Sequence, residues 1–334
     1  MTGYDIIGDV HGCAGQLEDL LTELGYQING ATGEYDHPSR RAVFVGDLID
    51  RGDEQLRVLQ IVKGMVDSGS ALIVTGNHEF NALAFATEWP VGSGKFLRPH
   101  DDPDNEYSEK NAHQHQAFLD QVTGADRELY LQWFATIPMW LDLGGIRVVH
   151  ACWHDTSMEF VEQRCGATPF ADINNLVEAT AAGSELYRAT ETLLKGPEIS
   201  LVDHGAPPYH DKDGHLRDNA RLQWWSSDAH TLRGLAEMGG NFTTETGDPY
   251  PPLPEIEIDC DETDFVYHDP IPVFYGHYWR QGVPEYPLDW TNCSACVDFS
   301  AVKGGRLTAY RWSGEARILP ENYTQVDSPR RALH

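Results

Sequence analysis

The sequence predicts an α/β protein built around parallel strands. Three times before residue 90, an apolar strand-like run is followed by a polar loop and a helix-like segment. Two further apolar runs, later in the chain, each lead directly to a histidine. Because the carboxyl ends of parallel strands meet at one edge of a sheet, where such folds bind their ligands, we expect the polar residues after these strands to lie together.

The first unit is a short buried strand over residues 4–7 that ends in Gly-Asp-Val-His-Gly at 8–12. Asp9 and His11 are two residues apart, so an extended exit from the strand turns both side chains to one side. A carboxylate with an imidazole suits a borderline divalent metal ion, although short Asp-x-His matches also arise by chance. Leucines at helical spacing then predict a helix over residues 15–25.

The second unit leads from the apolar run 42–45 into Gly-Asp-Leu-Ile-Asp-Arg-Gly at 46–52. Asp47 stands at the strand end, within reach of a metal ion. Arg51 follows four residues later and can hold a phosphate in its fork of donors. Taken alone, the stretch could equally be an acidic turn with a surface ion pair.

The third unit is a strand over residues 71–74 that ends in Gly-Asn-His-Glu at 76–79. Asp, Asn and Gly all favour turns, so each of the three loops has a plain structural explanation. Turn preference does not explain a histidine in two of these loops and an arginine in the other. The recurrence therefore indicates a functional site.

Two later strands carry histidines at the same relative position. Residues 146–149 end at His150, and residues 271–275 lead to Gly276 and His277. A histidine after an apolar strand is often a buried, hydrogen-bonded core residue. Its repetition at strand ends favours the alternative, a metal ligand.

The chain is predicted to be a single domain over residues 1–334, with a surface excursion at 88–116 that could cap the sheet edge. Pro, Gly, Asp and His dominate the excursion, and apolar periodicity disappears there. Its histidines match no familiar metal-site spacing, so we expect them to be solvated. They are His100, His113 and His115.

Arg217 and Arg221 lie four residues apart, close to Trp224 and Trp225. The two arginines could line a phosphate pocket, or they could only offset the acidic surface. The sequence favours neither interpretation.

Composition excludes several classes of partner. The net charge is -28, from 52 acidic and 24 basic residues, and such a field repels duplex nucleic acid and anionic membranes. The N-terminus shows neither a basic segment nor a long apolar run, so we expect a cytoplasmic protein without a membrane span. Cys293 and Cys296 form a lone C-x-x-C, for which buried thiols are a simpler interpretation than zinc ligands.

The strand-end residues together suggest a two-metal centre. They are Asp9, His11, Asp47, Asn77, His150 and His277. If Asp47 bridges, they divide into two sites that share one carboxylate, and two ions about 3.5–4 Å apart can hold a hydroxide between them. His78 is left over and suits a general acid for the departing alkoxide, with Asp50 orienting its ring and Arg51 holding the phosphate.

In order and spacing these motifs resemble those of the calcineurin-like metallophosphoesterases, over roughly residues 4–312. The narrower likeness is to the bacterial branch related to serine/threonine phosphoprotein phosphatases and diadenosine tetraphosphatases. The resemblance implies a four-layer α/β/β/α sandwich with two mixed sheets. It also implies two divalent ions, manganese first with iron or zinc as alternatives, and direct attack of hydroxide on phosphorus.

The resemblance also implies a role for each site residue. The first ion would take Asp9, His11 and the bridging Asp47. The second would take Asp47, Asn77, His150 and His277. His78 and Asp50 would form the acid pair, and the substrate phosphate would be held by Arg51, Asn77 and, as a candidate only, Arg221.

The chain departs from the family pattern around both late histidines. Ala151, Cys152 and Trp153 follow His150 where the family commonly has glycines, and the aromatic pair Tyr278–Trp279 follows His277. These departures concern the substrate rather than the metals. The predicted function is a phosphomonoesterase of the phosphoprotein phosphatase type, acting on a phosphoprotein or a small phosphoester.

Two alternatives remain. Tyr278, Trp279, Trp224 and Trp225 could stack a base, which would suit a dinucleoside polyphosphate hydrolase, although ordinary packing explains them as well. A binding module that kept the fold and lost catalysis is disfavoured, because all six ligands and His78 are present.

Overall fold

The computed structural model describes residues 3–166, 168–211, 214–239, 242–259 and 263–327. The two ends of the predicted 1–334 domain lie outside the described residues. The strands, in chain order, are β1 (Gly3–Ile7), β2 (Gln27–Ile28), β3 (Tyr35–Asp36), β4 (Arg40–Phe44), β5 (Ala71–Ile73), β6 (Trp140–Asp142), β7 (Arg147–Val149), β8 (Glu198–Ser200), β9 (Tyr209–His210), β10 (Leu216–Arg217), β11 (Asn219–Arg221), β12 (Val273–Tyr275), β13 (Ser294–Cys296), β14 (Asp298–Phe299), β15 (Arg306–Trp312) and β16 (Tyr323–Asp327).

The helices connect and cover these strands. In chain order they are α1 (Ala14–Glu23), α2 (Gln55–Asp67), α3 (Asn77–Ala86), α4 (Ser108–Gln121), α5 (Gly124–Phe134), α6 (Asp155–Cys165), α7 (Ile173–Thr180), α8 (Glu185–Lys195) and α9 (Leu232–Leu235). Short 3-10 turns lie at Pro169–Ala171, Ala301–Lys303 and Pro320–Asn322. The strands and first helix expected from the sequence are present, with bounds shifted by at most two residues.

The first sheet has six strands and mixed direction. Strands β1, β4 and β5 are parallel neighbours, as the three strand–loop–helix units require. Strand β15 returns antiparallel beside β1 and also pairs with β14 and β16. Strands β14 and β15 form a hairpin at the edge of this sheet.

The second sheet has four strands in the order β13-β12-β7-β6. Strand β12 is parallel to both β7 and β13, whereas β6 is antiparallel to β7. Strands β7 and β12 are the two runs that the sequence analysis placed before His150 and His277. They therefore belong to a different sheet from the first three units.

The two sheets pack face to face, with helices outside. Alternate residues of one strand enter different cores, because successive side chains point to opposite faces. Ile6 and Phe274 lie in the core between the sheets. Ile7 and Tyr275, each the next residue along, join the cluster that the helices cover. The four-layer α/β/β/α arrangement with two mixed sheets is thus confirmed.

The excursion at 88–116 is only partly irregular. Helix α4 begins at Ser108 and continues past residue 116, so the expectation of irregular structure is wrong for that part. The buried face of α4 includes Ser108, Asn111 and His115 as well as Phe118. This face has helical spacing but is largely polar, which is why apolar periodicity did not reveal it. Whether the excursion caps the site stays a prediction.

The part of the chain that follows α8 and precedes β12 forms a second, smaller apolar cluster. It gathers residues from β8, β11 and α9 and from the loops that follow, among them Leu201, Leu222, Leu235 and Leu253. The single-domain prediction stays a prediction.

Within the described residues, helices that are long and apolar enough to cross a bilayer are absent. Cys296 is fully buried in β13 and Cys293 is partly buried beside it, both as free thiols. Burial raises the pKa of both thiols, so they stay protonated and are poor metal ligands near neutral pH.

Candidate active site

Five strand-end loops meet at one place, although they come from two sheets. The backbone N–H of His11 donates to the carbonyl oxygen of Asp47 at 3.0 Å, which joins the loops after β1 and β4. The N–H of Gly276 donates to the carbonyl of His150 at 2.8 Å, which joins the loops after β7 and β12. The N–H of His277 donates to Asp9 Oδ2 at 3.1 Å and so links the two groups.

Asp47 lies at the centre of the site and is buried. Its Oδ2 is 3.6 Å from Nε2 of His11, and its Oδ1 is 3.5 Å from Nε2 of His150. The two oxygens of one carboxylate thus face two different imidazoles. Burial by itself would raise the pKa of Asp47, but the neighbouring histidines more than offset this and hold it below its usual value. The position is the one that a bridging ligand requires.

His11 and His150 are both held in the tautomer that suits a metal ligand. Nδ1 of His11 donates to the carbonyl of Ile49 at 2.7 Å, and Nδ1 of His150 donates to the carbonyl of Val45 at 2.7 Å. In the neutral form of each ring, Nε2 is then the unprotonated nitrogen, and it faces Asp47. Ligating histidines are commonly fixed in this way. Burial lowers the pKa of His11 to about 3, so the ring stays neutral.

The second group of acceptors surrounds Asn77, the first residue of α3. Its Oδ1 lies 3.1 Å from Nε2 of His150 and 2.8 Å from Nδ1 of His277. Because the His150 proton is on Nδ1, its Nε2 and the amide oxygen are two acceptors facing each other. The amide oxygen accepts from Nδ1 of His277, because Arg221 donates to Nε2 of that ring, so the atom left without a donor is Nε2 of His150, where a cation would fit. Asp47, His150 and His277 also fall within metal-binding distance of one another.

Asp9 lies at the edge of the same site, and its part in holding a metal ion stays a prediction. Near the first loop, the side chains whose donor atoms lie close enough together to hold one metal ion are His11, Asp47 and His78, and not Asp9. Asp9 is nevertheless buried, with Oδ1 lacking a hydrogen-bond partner among the described residues. Gly276 permits this approach, because a Cβ there would lie 2.1 Å from Asp9 Oδ1. The oxygen-and-nitrogen donor set fits two divalent ions such as manganese, iron or zinc.

His78 is held by Asp50 and faces Asp47. Its Nδ1 lies 2.5 Å from Asp50 Oδ2, so Nδ1 carries the proton, and its Nε2 lies 3.8 Å from Asp47 Oδ2. Nη2 of Arg51 is 3.3 Å from the same Nε2. Burial disfavours the charged ring, but Asp47 and the Asp50 hydrogen bond outweigh it and raise the pKa of His78. Because a guanidinium can only donate, Arg51 donates to Nε2 here, which makes Nε2 a poor metal ligand; this contact must end when Nε2 carries a proton of its own.

Arg221 reaches the site, whereas Arg217 does not. Nη1 of Arg221 lies 2.5 Å from Nε2 of His277, although 56 residues separate them. Arg217 instead pairs with Asp211 at 2.9 Å on the exposed surface. Of the two arginines, Arg221 therefore lies beside the site, and its role in binding phosphate stays a prediction.

The backbone of the site is strained. Non-glycine residues with left-handed φ include Asp47 at 50°, Asp50 at 70°, Arg51 at 73° and His277 at 71°. Such conformations persist only where surrounding contacts enforce them, and they concentrate at functional sites.

Two buried carboxylates that the sequence analysis gave no role hold these loops. Glu79 accepts the backbone N–H groups of Asp47, Leu48 and Gly76 at 2.8–3.0 Å. Burial, with the nearby Asp47 charge, raises the pKa of Glu79 to about 7. Asp298 accepts the N–H of Trp279 at 2.7 Å. Glu79 was visible in the Gly-Asn-His-Glu motif, whereas Asp298 carries no local signal.

The aromatic residues divide into core and site. Trp224 and Trp225 are fully buried, so the idea that they stack a substrate base is wrong. Tyr278 is also buried, and its hydroxyl accepts from Trp224 Nε1 at 3.1 Å. Trp279 is only half-buried, and its ring centroid lies 3.9 Å from the guanidinium carbon of Arg51. Trp279 is therefore the aromatic side chain available at the site.

His115 was expected to be solvated but is buried against the site. Its ring is 4% exposed, and its Nδ1 lies 2.7 Å from Asp50 Oδ1. Sequence reasoning missed it because no spacing rule links residue 115 to residue 50. His113 is exposed, as expected.

Residues 4–277 match the family model described as calcineurin-like phosphoesterase. The chain is 50% identical over 76 residues to bis(5'-nucleosyl)-tetraphosphatase PrpE [asymmetrical] of Halalkalibacterium halodurans, covering 22% of this chain and 30% of the relative. It is 47% identical over 74 residues to the protein of the same name from Oceanobacillus iheyensis, covering 22% and 29%. The chain thus spans less than a third of the length of these curated relatives.

Among solved structures, a serine/threonine phosphatase from Saccharomyces cerevisiae with similarity to human phosphatase PP5 aligns with 98% of this chain and 79% of its own. The TM-score is 0.46 and the sequence identity is 13%.

Proposed function

The chain belongs to the calcineurin-like phosphoesterase family, and on that premise we propose that it is a two-metal phosphoester hydrolase acting as a phosphomonoesterase. The observation that carries the proposal is the juxtaposition of acceptors and donors around Asp47. Acceptor atoms of His11, His150 and Asn77 converge on one side, and the His78 ring with Arg51 closes the other. Such a site can hold cations and a phosphate together.

Asp9, His11 and Asp47 would hold one ion, and Asp47, Asn77, His150 and His277 the other. When bound, divalent ions supply Lewis-acid charge for the phosphate oxygens and activate the attacking water. We propose manganese as the resident metal, with iron and zinc as the alternatives that this donor set allows. Proton donation and phosphate binding are assigned to side chains of the protein.

His78 is proposed as the general acid. Because Asp50 fixes the proton on Nδ1, the charged ring presents its second proton on Nε2, which faces the centre of the site. As the phosphorus–oxygen bond to the leaving group breaks, this proton passes to the departing oxygen. The leaving group departs as a neutral alcohol, and the imidazole becomes neutral. The raised pKa of His78 favours the charged form that this role needs.

Arg51 and Arg221 are proposed as the phosphate clamp. Arg51 is exposed enough to meet substrate while its guanidinium rests near Trp279. Arg221 donates to Nε2 of His277. An imidazole that binds a metal ion through Nδ1 carries its proton on Nε2, so Arg221 could no longer donate there and would be available to phosphate. Asn77 could also contact phosphate, but its oxygen is better placed for a cation.

Hydrolysis of dinucleoside polyphosphates is a second candidate, favoured by one observation. Trp279 lies half-buried beside Arg51, so a base stacked on its ring would bring the attached phosphates near the guanidinium. The tetraphosphatase names of the relatives point the same way. A phosphoprotein or small phosphomonoester remains the first candidate, because two arginines and an acid suit a terminal phosphate.

The test is to incubate manganese-loaded protein with a phosphopeptide and with diadenosine tetraphosphate, each with a chelator control, and to identify the products. Release of phosphate from the peptide, abolished by the chelator, is the expected result. Nucleotide products alone would favour the second candidate. Bound metal without turnover of either substrate would overturn both and leave a binding module.

A further inference from the structure

The Asp50 carboxylate is shared between two imidazoles from different parts of the chain. Its Oδ2 meets Nδ1 of His78 at 2.5 Å, and its Oδ1 meets Nδ1 of His115 at 2.7 Å. Asp50 and both rings are at most 5% exposed. Since an ionised carboxylate can only accept, each Nδ1 carries the hydrogen of its bond. The three side chains therefore form one buried, continuous hydrogen-bond network.

Asp50 is immobilised from its backbone as well. Its N–H donates to Oε1 of Gln55 at 2.8 Å, and its φ is 70°. The carboxylate plane is still free to rotate about the side-chain bonds unless both oxygens are held. His115 provides the second restraint, so the direction in which Oδ2 points at His78 depends on the bond to Oδ1.

The ring of His115 is itself locked by packing. Its centroid lies 4.8 Å from that of Phe118 and 4.9 Å from that of Phe85. The ring also forms part of the wall of a cavity of about 280 Å³ whose other lining residues are mostly apolar. A donor held this firmly in apolar surroundings sets the orientation of its acceptor more strictly than a solvated donor would.

Helix α4 does not need His115 to stay in place. Gln121 at its end accepts the N–H of Gln55 at 2.9 Å and donates to the carbonyl of Gly52 at 3.1 Å. Phe118 is fully buried in the main core. Losing the His115 bond should therefore disturb Asp50 more than the position of the helix.

We propose that His115 is a positioning residue for phosphoester hydrolysis, which fixes the Asp50 carboxylate so that His78 presents its Nε2 proton to the leaving oxygen. The inference rests on the acid role of His78 proposed above. It assigns a function in the site to the segment between α3 and α5, through a residue 65 positions away from Asp50 in the chain.

The test compares His115→Phe, which keeps a ring but removes the donor, with His115→Asn, which keeps an N–H near the position of Nδ1. His113→Asn, an exposed change on the same helix, is the matched control. On an alkyl phosphate we expect kcat of His115→Phe to fall about 10–100-fold, the range for lost supporting hydrogen bonds. KM and bound manganese should stay unchanged, and His115→Asn should recover part of kcat. Equal kcat in His115→Phe and the control would overturn the proposal.

A double-mutant cycle separates this inference from the acid role itself. If His115 acts through His78, His115→Phe should cost little in a His78→Asn background. The same fold-loss in both backgrounds would overturn the positioning role while leaving the acid role intact. If His78→Asn slows aryl and alkyl phosphates equally, the acid role fails first. His115→Asn keeps the cycle informative should the phenylalanine variant fail to fold.

Discussion

The Nε2 atom of His150 faces the Oδ1 atom of Asn77 at 3.1 Å although both are acceptors, because the His150 proton is donated to the carbonyl of Val45. A buried pair of facing acceptors is unfavourable without a cation or donor between them. The two residues come from different sheets, one after β7 and the other after β5. The amide oxygen has a donor in Nδ1 of His277, so the packing of the two sheets leaves Nε2 of His150 in a position that suits a metal ion.

Replacement of the central carboxylate should remove the metals. Asp47→Asn removes the negative charge and leaves a single neutral oxygen between His11 and His150, so both ions should bind more weakly and turnover should fall below detection. Metal content after gel filtration and activity with excess manganese would measure the two effects. Asp53→Asn, an exposed change in the same loop, is the control. Full turnover of Asp47→Asn would contradict the bridging role.

The two arginines near the tryptophan pair should differ in effect. Arg221→Ala should raise KM for a phosphomonoester and weaken inhibition by inorganic phosphate, about tenfold for one charge-assisted contact of 1.5 kcal/mol or so. Arg217→Ala is the matched control, since the Arg217 side chain is half-exposed and pairs with Asp211 instead of a site residue. If the two variants share the same KM, Arg221 does not contact phosphate. Arg51→Ala should behave like Arg221→Ala.

Trp279 should distinguish the two candidate substrates. Trp279→Leu removes the ring beside Arg51, so KM for diadenosine tetraphosphate should rise if a base stacks there, while KM for a small alkyl phosphate should change less. Base stacking on an aromatic side chain contributes about 1–3 kcal/mol, which sets the expected size. Trp89→Leu, a change at an exposed tryptophan, controls for general effects. Parallel changes in both KM values would argue that the ring only supports Arg51.

Metal binding should release protons near pH 6. In the metal-free site, burial raises the pKa of Glu79 to about 7, so this carboxyl is largely protonated at pH 6; burial raises the pKa of Asp9 as well. Divalent cations favour the ionised forms, so these protons leave on binding, and fewer leave as the pH rises above 7. His11 contributes none, because its pKa of about 3 keeps it neutral.

Calorimetry of manganese binding in two buffers with different ionisation enthalpies would count the released protons. Glu79→Gln should reduce the number at pH 6. Proton uptake, or a release that grows with pH, would be inconsistent with raised pKa values at these carboxyls.

The sequence predicted those features of the fold and the site that short stretches of residues encode. The strand–loop–helix units and the positions of the strand-end residues follow from patterns within ten residues or so. Glu79 was in view but had no assigned role, since its bonds to the Asp47 loop cross from one unit to the next. The helical face of α4 escaped notice because its buried positions are largely polar.

By itself, the sequence determined the strands, the order of the polar loops and the chemical identity of the donors, because backbone periodicity and side-chain type are local properties. Only the tertiary structure decided which loops meet and which rings face inward. It brought β7 and β12 into a second sheet, buried Trp224 and Trp225, set Arg221 against His277 and His115 against Asp50. These are contacts between residues distant in the chain, fixed by how the two sheets and their helices pack, and no local pattern encodes them.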